Sequence, residues 1–138
     1  MNGANLTMVD CSILRNMASN EGGGLASYTA RVFVERCFIN ENIALHGGGL
    51  IADSSSDLRS TATSFLYNIA VRGAGVYTGG SSTTIHFFLC TIAHNVASKG
   101  SGAGLYISSG SVSIVSSSVR NNTGSGAYFT LISGAADG

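Results

Sequence analysis

The stretch NIALHGGGL, from Asn42 to Leu50, recurs along the chain at a nearly constant interval. Related words open at Asn16, Asn68, Asn95 and Asn122, so successive asparagines are 26, 26, 27 and 27 residues apart. A period of this length is typical of solenoids and repeat arrays. A glycine loop that binds a ligand is expected once in a chain, so the recurrence indicates that these glycines belong to the repeat itself.

Each repeat contains alternating apolar positions that predict three short strands. The first inward column is Leu6, Val32, Leu58, Ile85 and Val112, and its partner two residues later is Met8, Val34, Ser60, Phe87 and Ile114. A second strand follows at Ile13, Ile39, Phe65, Ile92 and Val119, and a third at Leu25, Leu50, Val76 and Leu105. Alternation with a period of two predicts strands with one buried face.

These columns predict an all-β fold, a right-handed single-stranded parallel β-helix of about five rungs with three short strands per rung. The rungs would span roughly residues 5–29, 30–55, 56–82, 83–110 and 111–132 of a single domain covering 1–138. The handedness follows from the general rule for parallel crossovers. Helical repeats are excluded because they need about 33 residues or more and a different apolar period.

Charge and hydropathy exclude several partners. Seven basic and seven acidic side chains cancel, so no basic field predicts nucleic-acid or membrane-surface binding. No apolar run approaches the roughly 20 residues of a membrane span, and the first residues do not resemble a signal peptide. No cofactor motif is present: a dinucleotide fingerprint needs one glycine loop at a strand-to-helix junction.

The paired words FxxN and GGA[ILV] resemble the repeats of the chlamydial polymorphic outer membrane proteins and, more loosely, other adhesin-like β-helices of the pectin-lyase-like fold. The first word is FLYN at 65–68, with variants at 13–16, 39–42, 92–95 and 119–122; the second is GGGL at 22–25 and 47–50, GAGV at 73–76 and GAGL at 102–105. The resemblance covers nearly the whole chain. It implies a surface-exposed adhesive or scaffolding module that is not an enzyme.

The corner asparagines are expected to form a structural ladder. Asn16, Asn42, Asn68, Asn95 and Asn122 end strands where a left-handed backbone is tolerated and an amide can both donate and accept. Cys11, Cys37 and Cys90 share one inward column and are interpreted as small apolar residues. The pattern is compatible with a strained disulfide between Cys11 and Cys37 but does not require one.

The outward column of the third strand is the predicted contact surface. The column begins at Ala26, and the predicted stripe consists of Ile51, Tyr77, Tyr106 and, in the last copy, Phe129. An exposed apolar stripe can bind sugar rings or another rod, although cross-rung packing explains the same residues equally well.

Catalytic and metal sites are not expected. No carboxylate lies among the outward positions Thr7, Phe33, Arg59, His86 and Ser113, whereas β-helical polysaccharide enzymes need clustered acids. Asp53 and Asp57 share a loop and could bind a cation only weakly, and the histidines His46, His86 and His94 occupy different columns. The mixed columns also disfavour ice binding.

Neither end has an obvious cap, which predicts either a slice of a longer solenoid or a subunit that stacks end to end. We therefore expect a non-enzymatic structural or adhesive module of an extracellular or cell-surface assembly. Its partners would be further copies, neighbouring β-helix domains or glycans. The alternatives are a carbohydrate- or ice-binding module and a remnant of a polysaccharide-degrading enzyme. The triplets at Asn5 and Asn121 are candidate glycosylation sites.

Overall fold

The fold is described from a computed structural model in which residues 3–99 and 102–124 are placed. Within these two ranges the regular structure consists of β-strands alone. No helix there is long and apolar enough to cross a membrane.

Seventeen strands follow one another in the described part of the chain. The first three turns contain β1 (Asn5–Val9), β2 (Ser12–Leu14), β3 (Leu25–Tyr28), β4 (Arg31–Glu35), β5 (Phe38–Asn40), β6 (Leu50–Asp53), β7 (Asp57–Thr61), β8 (Ser64–Leu66), β9 (Ile69–Ala70) and β10 (Val76–Thr78). The later turns contain β11 (Thr84–Phe88), β12 (Thr91–Ala93), β13 (Val96–Ala97), β14 (Leu105–Ile107), β15 (Ser111–Val115), β16 (Ser118–Arg120) and β17 (Thr123–Gly124).

The strands stack into four parallel sheets that run along one solenoid. Sheet 1 has the order β1-β4-β7-β11-β15 and sheet 2 the order β2-β5-β8-β12-β16. Sheet 3 comprises β9, β13 and β17, and sheet 4 comprises β3, β6, β10 and β14. The chain therefore forms a parallel β-helix, with four complete turns and the first strands of a fifth in the described residues. The predicted all-β solenoid is confirmed.

Sheet 3 is the element that the sequence pattern missed. Its strands are two residues long, too short for alternation to be visible, and the first two turns contribute only single bridges at Met17 and Ile43. The third and fourth turns therefore have four strands each, where three were predicted.

The predicted inward columns form the core. In sheet 1 the register pairs Leu6 with Val32, and Val32 with Leu58, as the 26-residue period requires. From the second turn to the fourth the core side chains are almost completely buried, whereas Val119 of the predicted inward column is 37% exposed in the fifth turn. Phe65 meets Phe87 edge to face at 5.8 Å between ring centroids. The first turn differs, because Leu6, Met8, Cys11, Ile13 and Leu25 pack against the core but are only half-buried.

The five asparagines form one ladder of hydrogen bonds along the solenoid. The backbone N–H and the side-chain amide of each of the first four donate to Oδ1 of the asparagine in the next turn, at 2.9–3.2 Å. The side-chain amide of Asn68 also donates to the carbonyl of Ile39 at 2.9 Å, in the preceding turn. Asn42, Asn68 and Asn95 are completely buried, so their side chains satisfy backbone groups that water does not reach.

The left-handed residue at this corner is not the asparagine but the residue before it. Positive φ angles of 53–58° occur at Arg15, Glu41, Tyr67, His94 and Asn121. The expectation that the ladder asparagines adopt this conformation is therefore wrong. The preceding residue reverses the chain direction, which leaves the asparagine side chain free to point inward and pair.

The glycines of the repeat make room for this ladder. A Cβ placed on Gly49 would lie 2.5 Å from the carbonyl oxygen of Gly75 and 2.9 Å from Nδ2 of Asn68. In the same way, a Cβ on Gly24 would lie 3.0 Å from Nδ2 of Asn42, and a Cβ on Gly75 would lie 3.0 Å from Nδ2 of Asn95. Real Cβ atoms do not approach other atoms so closely. The asparagine of one turn therefore fits only where the turn before it has a glycine at this position.

Removing a buried asparagine of the ladder should lower the free energy of unfolding far more than removing the exposed asparagine at its end. Asn68→Ala leaves the backbone N–H of Asn42 without its acceptor and removes one donor from the carbonyl of Ile39. We expect this to lower the free energy of unfolding by about 3 kcal/mol. Asn16→Ala removes an exposed side chain and should cost about 1 kcal/mol or less. Urea unfolding followed by circular dichroism compares the two, and equal losses would contradict the ladder's structural role.

A single methyl group should disrupt the same corner from the glycine side. Gly49→Ala is expected to lower the free energy of unfolding by about 3 kcal/mol, because the methyl group displaces the next turn and the Asn68 amide. Gly3→Ala is the control, since Gly3 has φ +62° and open space around it and should cost only the backbone strain of about 1 kcal/mol. Thermal unfolding of both variants would reveal the difference, and a mild Gly49→Ala effect would count against the interlock.

Candidate contact surface

The outer face of sheet 4 does not present the continuous apolar stripe that the sequence predicted. Ile51 is completely buried although it lies outside the main core cluster, so its predicted exposure is wrong. A Cβ on Gly47 would lie 2.9 Å from that of Ile51, which means that the glycine turn itself runs over this side chain. Phe129 lies outside the described residues.

The two tyrosines of this column are half-buried and stacked on each other. The rings of Tyr77 and Tyr106 are nearly parallel, with centroids 5.0 Å apart, and His46 packs against Tyr77 at 5.4 Å. Nδ1 of His46 is buried and has no hydrogen-bond partner among the described residues. Because the facing surfaces of the two tyrosine rings cover each other, they are not open to a sugar ring, and the column instead supports cross-rung packing.

An exposed apolar column lies on sheet 3, at the residues that follow the first four ladder asparagines. Met17, Ile43, Ile69 and Val96 pair in register along the solenoid, and we call them the sheet-3 stripe. Their exposed fractions are 78%, 36%, 40% and 39%, and the nearby Leu45 is 42% exposed. The sequence carried a signal for this surface, namely an apolar residue directly after four of the five asparagines.

Sheet 1 carries a groove of about 390 Å³ between two outward columns. One side is formed by Arg59, His86 and Ser113, and the other by Thr61, Phe88 and Val115. The guanidinium of Arg59 lies 5.9 Å from the ring centroid of Phe33, and its Nε is 3.9 Å from a carboxylate oxygen of Asp57. The described lining contains no carboxylate, so the groove lacks the paired acids of glycoside hydrolysis.

The other polar candidates are dispersed. Asp57 accepts a hydrogen bond from Thr84, whereas the carboxylate of Asp53 lies against the turn at Gly80, so the two acids serve different partners. The ring of His94 stacks on Tyr67 with centroids 5.1 Å apart. The structure describes no cluster of three or more His, Cys, Asp or Glu side chains able to hold a metal ion in 3–99 and 102–124.

Ion pairs and one tyrosine define the electrostatics of the outer surface. Arg15 pairs with Glu41 at 2.8 Å and Arg36 with Asp10 at 2.7 Å, each pair joining neighbouring turns. The hydrogen bond from Arg36 lowers the pKa of Asp10. Burial, followed by the hydrogen bond to Glu21, raises the pKa of Tyr28, which therefore stays protonated and donates to that carboxylate. Exposed pairs of this kind contribute little stability.

The cysteine column is a second hydrogen-bonded ladder and not a set of purely apolar residues. Its members are Cys11, Cys37, Thr63, Cys90 and Ser117, in successive turns. Thr63 Oγ1 donates to the carbonyl of Thr61 at 3.0 Å and accepts the backbone N–H of Cys37 at 3.2 Å. Ser117 accepts the N–H of Cys90 at 2.9 Å. Burial raises the pKa of the Cys90 thiol, and the structure records all three cysteines as free.

Four parallel sheets wound around one apolar core, with stacked asparagines at a corner, define a β-helix of the solenoid class. The chain belongs to the right-handed β-helix family, whose model, described as a right handed beta helix region, matches residues 1–135. Comparison with curated proteins and with solved structures gave no match. The family assigns the fold and leaves the choice of function to the surfaces described above.

The hydroxyl ladder can be tested at its central position. Thr63→Val keeps the side-chain shape but leaves the N–H of Cys37 without its acceptor, so we expect a loss of about 2 kcal/mol in the free energy of unfolding. Thr63→Ser retains the hydroxyl and should lose less than about 1 kcal/mol. The two variants are compared by urea unfolding. A valine variant as stable as the serine variant would contradict the hydrogen-bonding role of this column.

Proposed function

We propose that the chain is a non-enzymatic structural β-helix module that docks side by side with a second copy through the sheet-3 stripe. The observation that carries this proposal is the exposure of Met17, Ile43, Ile69 and Val96 in one continuous line. Contiguous apolar patches of a few hundred Å² on a monomer usually mark contact sites.

The stripe is suited to a partner that is itself a solenoid. Its side chains repeat at the spacing of the turns, about 4.8 Å, so a partner fills the gaps between them only if its own side chains have the same spacing. Three of the four side chains, those of Ile43, Ile69 and Val96, are β-branched and therefore stiff, which reduces the entropy lost on contact. A second copy of this chain has the same spacing, because its turns repeat at the same interval.

The charge distribution around the stripe is compatible with an apolar contact. None of the stripe residues is charged, and the neighbouring charges Arg15 and Glu41 already form an ion pair. Burying the four stripe side chains therefore takes no charged side chain of the stripe itself out of water, which would otherwise cost several kcal/mol. The pair would lie at the polar rim of the interface, as in other protein contacts.

The absence of acids from the groove on sheet 1 supports the non-enzymatic assignment. The polar residues in its described lining are Arg59, Ser60, Thr61, His86 and Ser113. A hydrolase of the two-carboxylate kind needs an acid and a base or nucleophile at this place. Turnover of any polysaccharide by the purified chain would overturn this part of the proposal.

End-to-end stacking is the second candidate, and it is supported by the first turn. The side chains of Leu6, Met8 and Ile13 are half-buried there, whereas their counterparts in the second turn are buried or nearly so. Asn16 uses its donors on Asn42, which leaves Oδ1 as the position where a preceding turn would continue the ladder. Such a contact is heterologous and would build a filament.

We place this module in an extracellular or cell-surface assembly, as the resemblance to chlamydial polymorphic outer membrane proteins and other adhesins implies. The candidate glycosylation sites Asn5 and Asn121 are both exposed, which is compatible with modification in a secretory route. Neighbouring β-helix domains are alternative occupants of the stripe. Glycans are less well supported as partners, because the predicted platform of Tyr77 and Tyr106 has its facing ring surfaces covered.

The lateral contact predicts self-association that depends on the stripe. In sedimentation velocity over a wide concentration range the unaltered chain should form a dimer. The double variant Ile43→Lys/Ile69→Lys should weaken the dimer at least tenfold, about 1.4 kcal/mol or more, because two charges would be desolvated. Phe38→Lys on sheet 2, which replaces a side chain that is 54% exposed, is the matched control and should associate normally.

Three outcomes separate the candidates. A monomer at every concentration would overturn self-association through the stripe. Association unchanged in the double variant would exclude the stripe as its site. Open-ended growth that persists in the double variant would instead support end-to-end stacking, and a Leu6→Lys variant should then stop it.

A further inference from the structure

We propose that Cys11 and Cys37 form a disulfide across two neighbouring turns when the folded chain meets a small-molecule disulfide. The two thiols are free in the structure and lie in the same column. This site is independent of the lateral contact, because it lies in the turn between sheet 1 and sheet 2, whereas the stripe is on sheet 3.

The register places the two cysteines directly opposite each other. On one side Val9 pairs with Glu35, and on the other Ser12 pairs with Phe38. The N–H of Phe38 donates to the carbonyl of Cys11 at 2.9 Å, which ties the two turns together at the cysteines. Neighbouring parallel strands are about 4.8 Å apart, within the 4.4–6.8 Å that a disulfide requires between Cα atoms.

The first turn is able to make the small movement that closure needs. Cβ atoms stacked in register are also separated by about 4.8 Å, whereas a disulfide prefers about 3.8 Å, so one cysteine must shift. β1 and β2 each pair with only one neighbour among the described strands. Cys11 is half-buried, and its sulfur donates to the carbonyl of Val9 at 3.2 Å. Cys11 is therefore the partner that moves.

The chemistry is an ordinary thiol–disulfide exchange. The thiolate of the more exposed Cys11 attacks oxidised glutathione, forms a mixed disulfide and releases one glutathione thiolate. The thiol of Cys37 then loses its proton and displaces the second glutathione, so two protein thiols are oxidised while one glutathione disulfide is reduced. Burial raises the pKa of the Cys37 thiol, which makes Cys37 the resolving thiol and the more exposed Cys11 the first nucleophile.

Cys90 provides a control within the same column. Its neighbours one turn away are Thr63 and Ser117, and neither carries sulfur. Its own sulfur is buried and donates to the carbonyl of Ser60 at 3.2 Å. A reaction that depends on a stacked pair of thiols should therefore leave Cys90 unchanged.

The test is incubation of the folded chain with oxidised glutathione at mildly alkaline pH, followed by alkylation and peptide mass spectrometry. We expect the loss of two hydrogen atoms per chain, a linked pair of peptides containing Cys11 and Cys37, and a Cys90 that is alkylated only after unfolding. The Cys90→Ser variant should react as the unaltered chain does. The linked form should unfold at a temperature higher by about 5 °C, because the closed loop restricts the unfolded chain.

Several results would overturn this proposal. In one, a stable glutathione adduct accumulates on Cys11 while Cys37 remains reduced. In another, the cross-link joins two chains. A third is complete retention of both thiols in the folded chain, with oxidation only after denaturation. A Cys11→Ser variant distinguishes the cases, since it should prevent both the mixed disulfide and the linked peptides.

Discussion

The interaction on which the structure depends is the contact between the asparagine of one turn and the glycine of the turn before it. Asn68 joins three successive turns, because it accepts from Asn42, donates to the carbonyl of Ile39 and donates to Asn95. This is possible only because Gly49 has no side chain where the Asn68 amide lies. A polar ladder buried in an apolar solenoid must be complete, since each unpaired group would cost 1–3 kcal/mol.

The ladder fixes the register, and the register fixes which side chains are buried. A slip of one residue would turn every inward side chain outward, and the buried asparagines would lose their partners at the same time. Because every turn has the same register, the residues that follow the asparagines lie in one column on sheet 3. The apolar sheet-3 stripe and the facing thiols of Cys11 and Cys37 are both consequences of this repetition.

The parts of the fold that could be predicted from the sequence are those that repeat visibly. The 26- and 27-residue period located the turns, and alternation located the inward columns of sheets 1, 2 and 4. Sheet 3 was missed because two residues are too few to display a period. The burial of Ile51 was missed because it results from the path of the glycine turn, which no pattern of side chains records.

The candidate site was harder to predict for a related reason. Tyr77 and Tyr106 were assigned to an outward column correctly, but alternation cannot tell whether rings stack on each other or remain open. The cysteine column was interpreted as apolar, although the hydroxyls of Thr63 and Ser117 at equivalent positions pointed to hydrogen bonding. The apolar residue after four of the five asparagines is visible in the sequence, but only the structure shows that these four side chains are exposed.

The most direct test of the central ladder is amide hydrogen exchange measured by NMR. The backbone N–H groups of Asn42, Asn68 and Asn95 donate to side-chain oxygens and not to a sheet partner. If the ladder holds the turns together, these three amides should exchange as slowly as the central strand amides of sheet 1, through opening of the solenoid as a whole. Exchange as fast as that of the exposed turn at Ser54 would contradict the account.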